Sequence, residues 1–203
     1  MIAEKFVNPV EREVLGVIAK RWSPRAYSSR PVEKEKLLTI FEAARWSASS
    51  YNEHPWRFIV ATKDNPEAFD KLLSCLNDWN QKWAKLAPVL VLTVAKRTFT
   101  NNGKPNKHAW HDIGQTVATL SLEAASHDLY IHQMAGIHPE KAREVYNIPD
   151  DYEAVTMFTL GYLGDVKDLP EEFHKGEKRI RERKPLSELV FEDAFGNTSS
   201  LMK

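Results

Sequence analysis

A single cysteine among 203 residues excludes an internal disulfide, and Cys75 stands among Leu72, Leu73 and Leu76, where an inert buried thiol is ordinary. The 28 basic and 28 acidic side chains leave no net charge. The cationic field with which nucleic-acid binders collect phosphates is therefore missing, and no nucleic-acid partner is expected. No apolar run approaches the ~20 residues of a membrane span, and residues 1–5 show no basic segment leading into an apolar one. The chain reads as cytoplasmic, with no membrane partner. It also lacks a GxSxG elbow, a Walker motif, a GxGxxG turn after a strand, HExxH and any cysteine pair, which disfavours hydrolase, P-loop, dinucleotide-fold and zinc-site readings. His108, His111 and Asp112 gather near one expected helix start without a completing ligand, so no metal site is expected.

What is present suits one domain over residues 1–203: 42% of the residues are hydrophobic and 10% aromatic. Apolar spacing predicts a first helix over 9–20 from Val10, Val14, Leu15 and Ile18, stopped near Arg21 by Pro24. A second helix is expected over 32–47, and further helical pieces around 69–76, 79–86, 110–127 and 139–146. Short runs rich in Val, Ile and Phe predict strands at 56–61, 88–94, 130–134 and 154–163. The order describes an α+β or α/β sandwich. After Leu169 the chain turns charged, and 185–203 places Leu186, Leu189, Val190, Phe191 and Phe195 among polar residues, as in an arm reaching a partner subunit.

Two segments combine arginines with proline-enforced extension. In Arg21-Trp22-Ser23-Pro24-Arg25, Pro24 keeps Ser23 out of helical geometry, so Arg21, Ser23 and Arg25 are expected on one side. Two guanidinium forks and a hydroxyl suit a phosphate monoester; equally, two arginines after a helix cap its last carbonyls or sit in water. Arg181-Glu182-Arg183-Lys184-Pro185 repeats the pattern within a run of mixed charge, which is ordinarily a solvated face. The loop Ser49-Ser50-Tyr51-Asn52-Glu53-His54 is rich in donors and acceptors between a helix and a strand; read alone, its side chains satisfy their own backbone. In Gln133-Met134-Ala135-Gly136, the glycine either admits close approach of a planar ligand or makes a simple turn.

Taken in order, these four segments resemble the nitroreductase family of flavin-dependent oxidoreductases over about residues 10–190. The resemblance implies an α+β fold with a central, mostly antiparallel sheet flanked by helices, in an intertwined homodimer that binds FMN. Electrons would pass from NADH or NADPH to a nitro compound, a quinone or a similar small-molecule electrophile by a ping-pong mechanism, with no obligatory catalytic acid or base. By the same resemblance, Arg21, Ser23, Arg181 and Arg183 would lie at the FMN phosphate and Arg25 near the pyrimidine edge, with Trp22 also part of the cofactor site. Ser49, Ser50, Asn52 and His54 would come from the neighbouring subunit, and Gln133, Met134, Ala135 and Gly136 would pass the reactive middle of the ring. His54 stands where the family usually has glutamine, so it keeps one donor or acceptor in place of the amide's pair. A dehalogenase or flavin-fragmenting enzyme of the same fold, or a non-catalytic flavin-binding protein, remains as an alternative.

Overall fold

The computed structural model describes residues 8–202; residues 1–5, read above for a leader, and residue 203, the end of the expected arm, lie outside that range. Four strands, β1 (Trp56–Thr62), β2 (Val89–Lys96), β3 (Tyr130–Met134) and β4 (Tyr152–Gly161), form one sheet in the order β1-β2-β4-β3, every pairing antiparallel. Among the described residues seven α-helices surround it: α1 (Gly16–Lys20), α2 (Lys34–Arg45), α3 (Pro66–Leu73), α4 (Asp78–Ala84), α5 (Ala109–Ser126), α6 (Pro139–Tyr146) and α7 (Glu171–Glu177).

The apolar alternation of β2 decides the layering. Val89, Val91 and Ala95 point into a core shared with α2 and α5, while Leu90, Leu92 and Val94 point into a second core under α3, α4, α6 and α7. On α5, Ile113, Val117, Leu120 and Ala124 recur at helical spacing and are buried. Withdrawing the three larger side chains from water contributes about 1.5–3 kcal/mol apiece. Two helices begin on proline, α3 and α6, where the missing N–H costs no intrahelical bond.

The first expected helix is mostly absent. Only residues 16–20 are helical, because Asn8 folds back on the helix's far end: its N–H donates to Ala19 O (2.8 Å) and its Nδ2 to Ile18 O (2.9 Å) and Arg21 O (3.2 Å). A helix from 9 to 20 would hold those ends about 16 Å apart. The apolar residues that suggested it, Val10, Val14, Leu15 and Ile18, remain exposed. Helix α7, within the charged stretch after Leu169, was not expected.

The chain after α1 is fastened along the end of β4. Tyr27 bridges Leu163, Ser28 N–H donates to Tyr162 O (2.9 Å) and Gly164 N–H to Ala26 O (3.0 Å). A Cβ on Gly164 would stand 2.4 Å from the Tyr27 carbonyl carbon and oxygen, so only glycine allows this approach. The buried Tyr27 hydroxyl receives a hydrogen bond from Thr159 Oγ1 (2.8 Å). Residues 21–25 are thereby carried to the β3 edge of the sheet.

Candidate functional site

Residues 21–25 run extended, with Trp22 and Pro24 buried and Ser23 exposed between them. Arg21 Nη1 donates to Ser23 Oγ (3.1 Å). The segment is pinned from two sides. From β3, His132 Nδ1 donates to Pro24 O (3.0 Å), since a carbonyl only accepts. From the end of α7, the Glu177 carboxylate accepts from Arg25 N (3.0 Å to each oxygen) and from Ala26 N (3.2 Å).

The second arginine segment meets the first. Arg181 Nη1 donates to Arg21 O (2.7 Å) across 160 positions of sequence, and its guanidinium lies 4.1 Å from the Trp22 ring centroid. A cavity of about 660 Å³ opens between Trp22, Ser23, Arg179, Arg181, Arg183 and Lys184. Arg21 faces an adjoining groove of about 830 Å³ with Val10, Val14, Ile18, Arg181 and Arg183. The arginines feel one another. Burial and then the neighbouring Arg183 pull Arg21 below its ordinary value; burial, then Arg21 and Arg183, pull Arg181 down to about 10. Two half-buried cations, Arg21 and Arg181, with exposed Arg183 beside them, favour a multiply charged anion, and their planar forks suit phosphate oxygens.

Arg25 does not join them. Its guanidinium lies between Trp83 (5.6 Å) and Phe173 (6.0 Å), and its buried Nε has no hydrogen-bond partner among the described residues. The side-by-side arrangement expected for Arg21, Ser23 and Arg25 therefore holds for the first two only, because the aromatic faces of α4 and α7 offer the third a closer seat.

The loop 49–54 is built by other means. Tyr51, Asn52 and His54 adopt left-handed backbone (φ 52°, 56° and 49°). Ser49 Oγ accepts from His54 N (3.1 Å), and buried Asp112 on α5 accepts from Ser50 N (3.0 Å). The Glu53 carboxylate accepts from Thr100 N (3.0 and 2.9 Å), Thr100 Oγ1 (2.5 Å) and Lys96 Nζ (3.2 Å), tying the loop to the end of β2. Tyr51 packs edge-on against Phe99 at 5.7 Å, and His54 lies against Trp56 at 5.4 Å.

This loop leads into β1, whereas residues 21–25 lie against β3 at the other edge of the sheet, three strand spacings or about 14 Å away. No hydrogen bond or ring contact among the described residues joins the two. Gln133 and Ala135 are exposed at the end of β3, while the Met134 side chain is core. Gly136 packs closely on α4: a Cβ there would meet the side-chain amide of Asn77, Nδ2 at 2.3 Å, and displace it, and the Gly136 carbonyl accepts from Asn77 N (3.0 Å) and Asn80 Nδ2 (3.2 Å).

His132 and Glu177 were not among the expected site residues. His132 adjoins the expected turn, but its role depends on Pro24, 108 positions away. Glu177 sat in a charge run that reads as solvated face, yet it is 3% exposed. Burial raises its carboxyl above the usual range, against the opposing pull of the Arg25 and Ala26 N–H groups. Burial and then the charge of Arg25 push His132 from 6.5 down to about 4, against its backbone bonds to Pro24 and Ser23. Because the folded value is the lower one, the stability held by neutral His132 is complete above about pH 6.5 and lost as pH falls toward 4. Wild-type protein should lose about 3 kcal/mol over that window that a His132→Gln variant does not lose, measured by denaturant melts at each pH.

A family model described as the nitroreductase family matches residues 18–162. A putative NADH dehydrogenase/NAD(P)H nitroreductase of Archaeoglobus fulgidus is 28% identical over 167 residues, covering 78% of this chain and 90% of that protein. Iodotyrosine deiodinase 1 of Rattus norvegicus is 26% identical over 147 residues, covering 60% of this chain and 51% of that protein. A solved structure described as an oxidoreductase containing FMN is similar with a TM-score of 0.87 at 33% identity, covering 94% of this chain and 97% of that one.

Proposed function

The chain belongs to the nitroreductase family, and from that premise we propose that it is an FMN-dependent NAD(P)H oxidoreductase whose cofactor phosphate sits among Arg21, Ser23, Arg181 and Arg183. The observation that carries this reading is the meeting of two arginine segments 160 positions apart beside a cavity of about 660 Å³. The donor set fits the group: guanidinium forks that depress one another gain most from a dianionic monoester, and a pocket of this size falls within the range of cofactor sites. When bound, FMN supplies two-electron chemistry, taking hydride from NADH or NADPH and passing it to a nitro compound, quinone or related small electrophile in alternating half-reactions.

The chain's own residues bind and orient. Trp22 carries Arg181 on its ring face, which fixes a long side chain at low entropic cost. Arg25, whose guanidinium lies between Trp83 and Phe173, would supply a cation toward the pyrimidine edge, where negative charge accumulates on a reduced flavin. The backbone at 133–136, held against α4 through Gly136, would pass the ring's middle. No side chain is assigned as acid or base.

Ser49, Ser50, Asn52 and His54 act from a second copy of the chain. Two features support this homodimer: the loop lies at the sheet edge opposite the arginines, and Val10, Val14, Leu15, Ile18, Leu189 and Phe195 stand exposed. The tail 185–202 makes its own small unit, with Phe191 bridging Thr198 and Glu192 accepting from Ser199 and Ser200, and serves as the arm that crosses over. No helix among the described residues is long and apolar enough to cross a membrane, and cytoplasmic residence is part of this reading.

Purified protein should bind FMN and lose its yellow colour on anaerobic addition of NADH or NADPH. Protein that takes up no added FMN in equilibrium dialysis would end the proposal. Sedimentation should give a dimer; a monomer with stoichiometric FMN would contradict the shared site. The likeness to iodotyrosine deiodinase 1 favours one second reading, reductive dehalogenation, and halide release from a halogenated phenol with no nitro-group reduction would select it.

A further inference from the structure

Glu177 spends a buried negative charge on backbone. Its carboxylate is 3% exposed, and among the described residues no lysine or arginine lies within ion-pair distance. Both oxygens go to the N–H groups of Arg25 and Ala26. Taking a carboxylate out of water costs several kcal/mol, so an amide or a hydroxyl would serve more cheaply if the task were only to satisfy two donors. Charge makes each of these bonds about twice as strong as its neutral counterpart.

The place of the clamp says what that strength holds. Arg25 lies four positions after Arg21, and Glu177 four positions before Arg181, so two short arms leave the same pin and meet again where Arg181 Nη1 reaches Arg21 O. The near face of the first arm is fixed independently by His132 on Pro24. The second arm leaves the end of α7 and runs through a non-helical stretch at 178–185 that is exposed apart from half-buried Arg181, with the Arg181–Arg21 bond and the Arg181–Trp22 stack as its other ties to the first.

We propose that Glu177 is a positioning residue of the anion site: by clamping Arg25 and Ala26 it sets the spacing between Arg21 and the Arg181–Arg183 segment, and with it the grip on a phosphate monoester. This rests on the FMN reading above and predicts a particular kind of loss. The phosphate-dependent share of cofactor affinity should depend on Glu177, while the share from the ring system should not.

Apo-protein is titrated with FMN and with riboflavin, which has the same ring system and no phosphate, following flavin fluorescence. Wild type should prefer FMN. Glu177→Gln, which sets an NH2 group against backbone donors, should lower the FMN-to-riboflavin preference at least tenfold and move riboflavin affinity less than threefold. Glu177→Asp keeps the charge and should retain more of the preference than Glu177→Gln. If Glu177→Gln does not fold by circular dichroism, Glu177→Asp carries the comparison, with a threefold or greater fall in preference expected. Equal weakening of both flavins, or an unchanged preference, overturns the inference and leaves the FMN site standing. A wild type that binds both flavins equally overturns the phosphate reading itself, and the inference with it.

Discussion

Arg21→Ala combined with Arg183→Ala is expected to weaken FMN binding by about 3–6 kcal/mol, roughly a hundredfold to ten-thousandfold, because each charge-assisted hydrogen bond to phosphate contributes about 1.5–3 kcal/mol. The single variants should sum to more than the double. Removing one cation relieves the repulsion on those that stay, as the depressed Arg21 and Arg181 values imply. Riboflavin should be nearly indifferent to the double substitution. The measurement is a fluorescence titration at fixed ionic strength, repeated at higher salt, where the wild-type advantage should shrink. FMN affinity unchanged in the double variant would remove both residues from the site.

Glu53→Ala is expected to cost about 2–3 kcal/mol of stability and, in the proposed dimer, to weaken FMN. The carboxylate is 7% exposed and its lysine partner 13%, so removing it leaves Lys96 with Thr100 Oγ1 as its remaining acceptor. Losing one member of a buried pair costs about 3–5 kcal/mol, and the position at the base of a surface loop lowers that figure. The same carboxylate holds three left-handed residues, Tyr51, Asn52 and His54, in place; without it the loop relaxes toward ordinary backbone. Burial raises the Glu53 carboxyl, but the hydrogen bonds from Thr100 and Lys96 outweigh it and hold it below 4.5. Its contribution is therefore complete above pH 4.5 and lost as pH falls through the lower folded value. Denaturant melts of wild type and Glu53→Ala should converge at acid pH; curves that stay parallel would assign the loss to packing.

Elements whose faces are apolar on their own were legible in the sequence. The spacing of Ile113, Val117 and Leu120 gave α5 to within a residue at each end, and the strands β1 to β4 lie within two residues of expectation. Local pattern failed where partners are remote. Val10, Val14, Leu15 and Ile18 carry helical spacing, but the turn at Asn8 that breaks the helix is set by bonds to Ala19 and Arg21. Within α7 the residues buried are Phe173 and Glu177, and one aromatic residue in a charged run has no periodicity to read. The two arginine segments were recognisable as motifs. That Arg25 lies between Trp83 and Phe173, and that Glu177 is the clamp, depends on side chains 58 to 152 positions away.

The contact between Arg181 and Arg21 spans 160 of the chain's 203 positions. At the proposed site, a ligand gripped by both arms would act as a removable cross-link between segments 160 positions apart. With the ligand bound, the two arginine segments should resist local opening for as long as it stays.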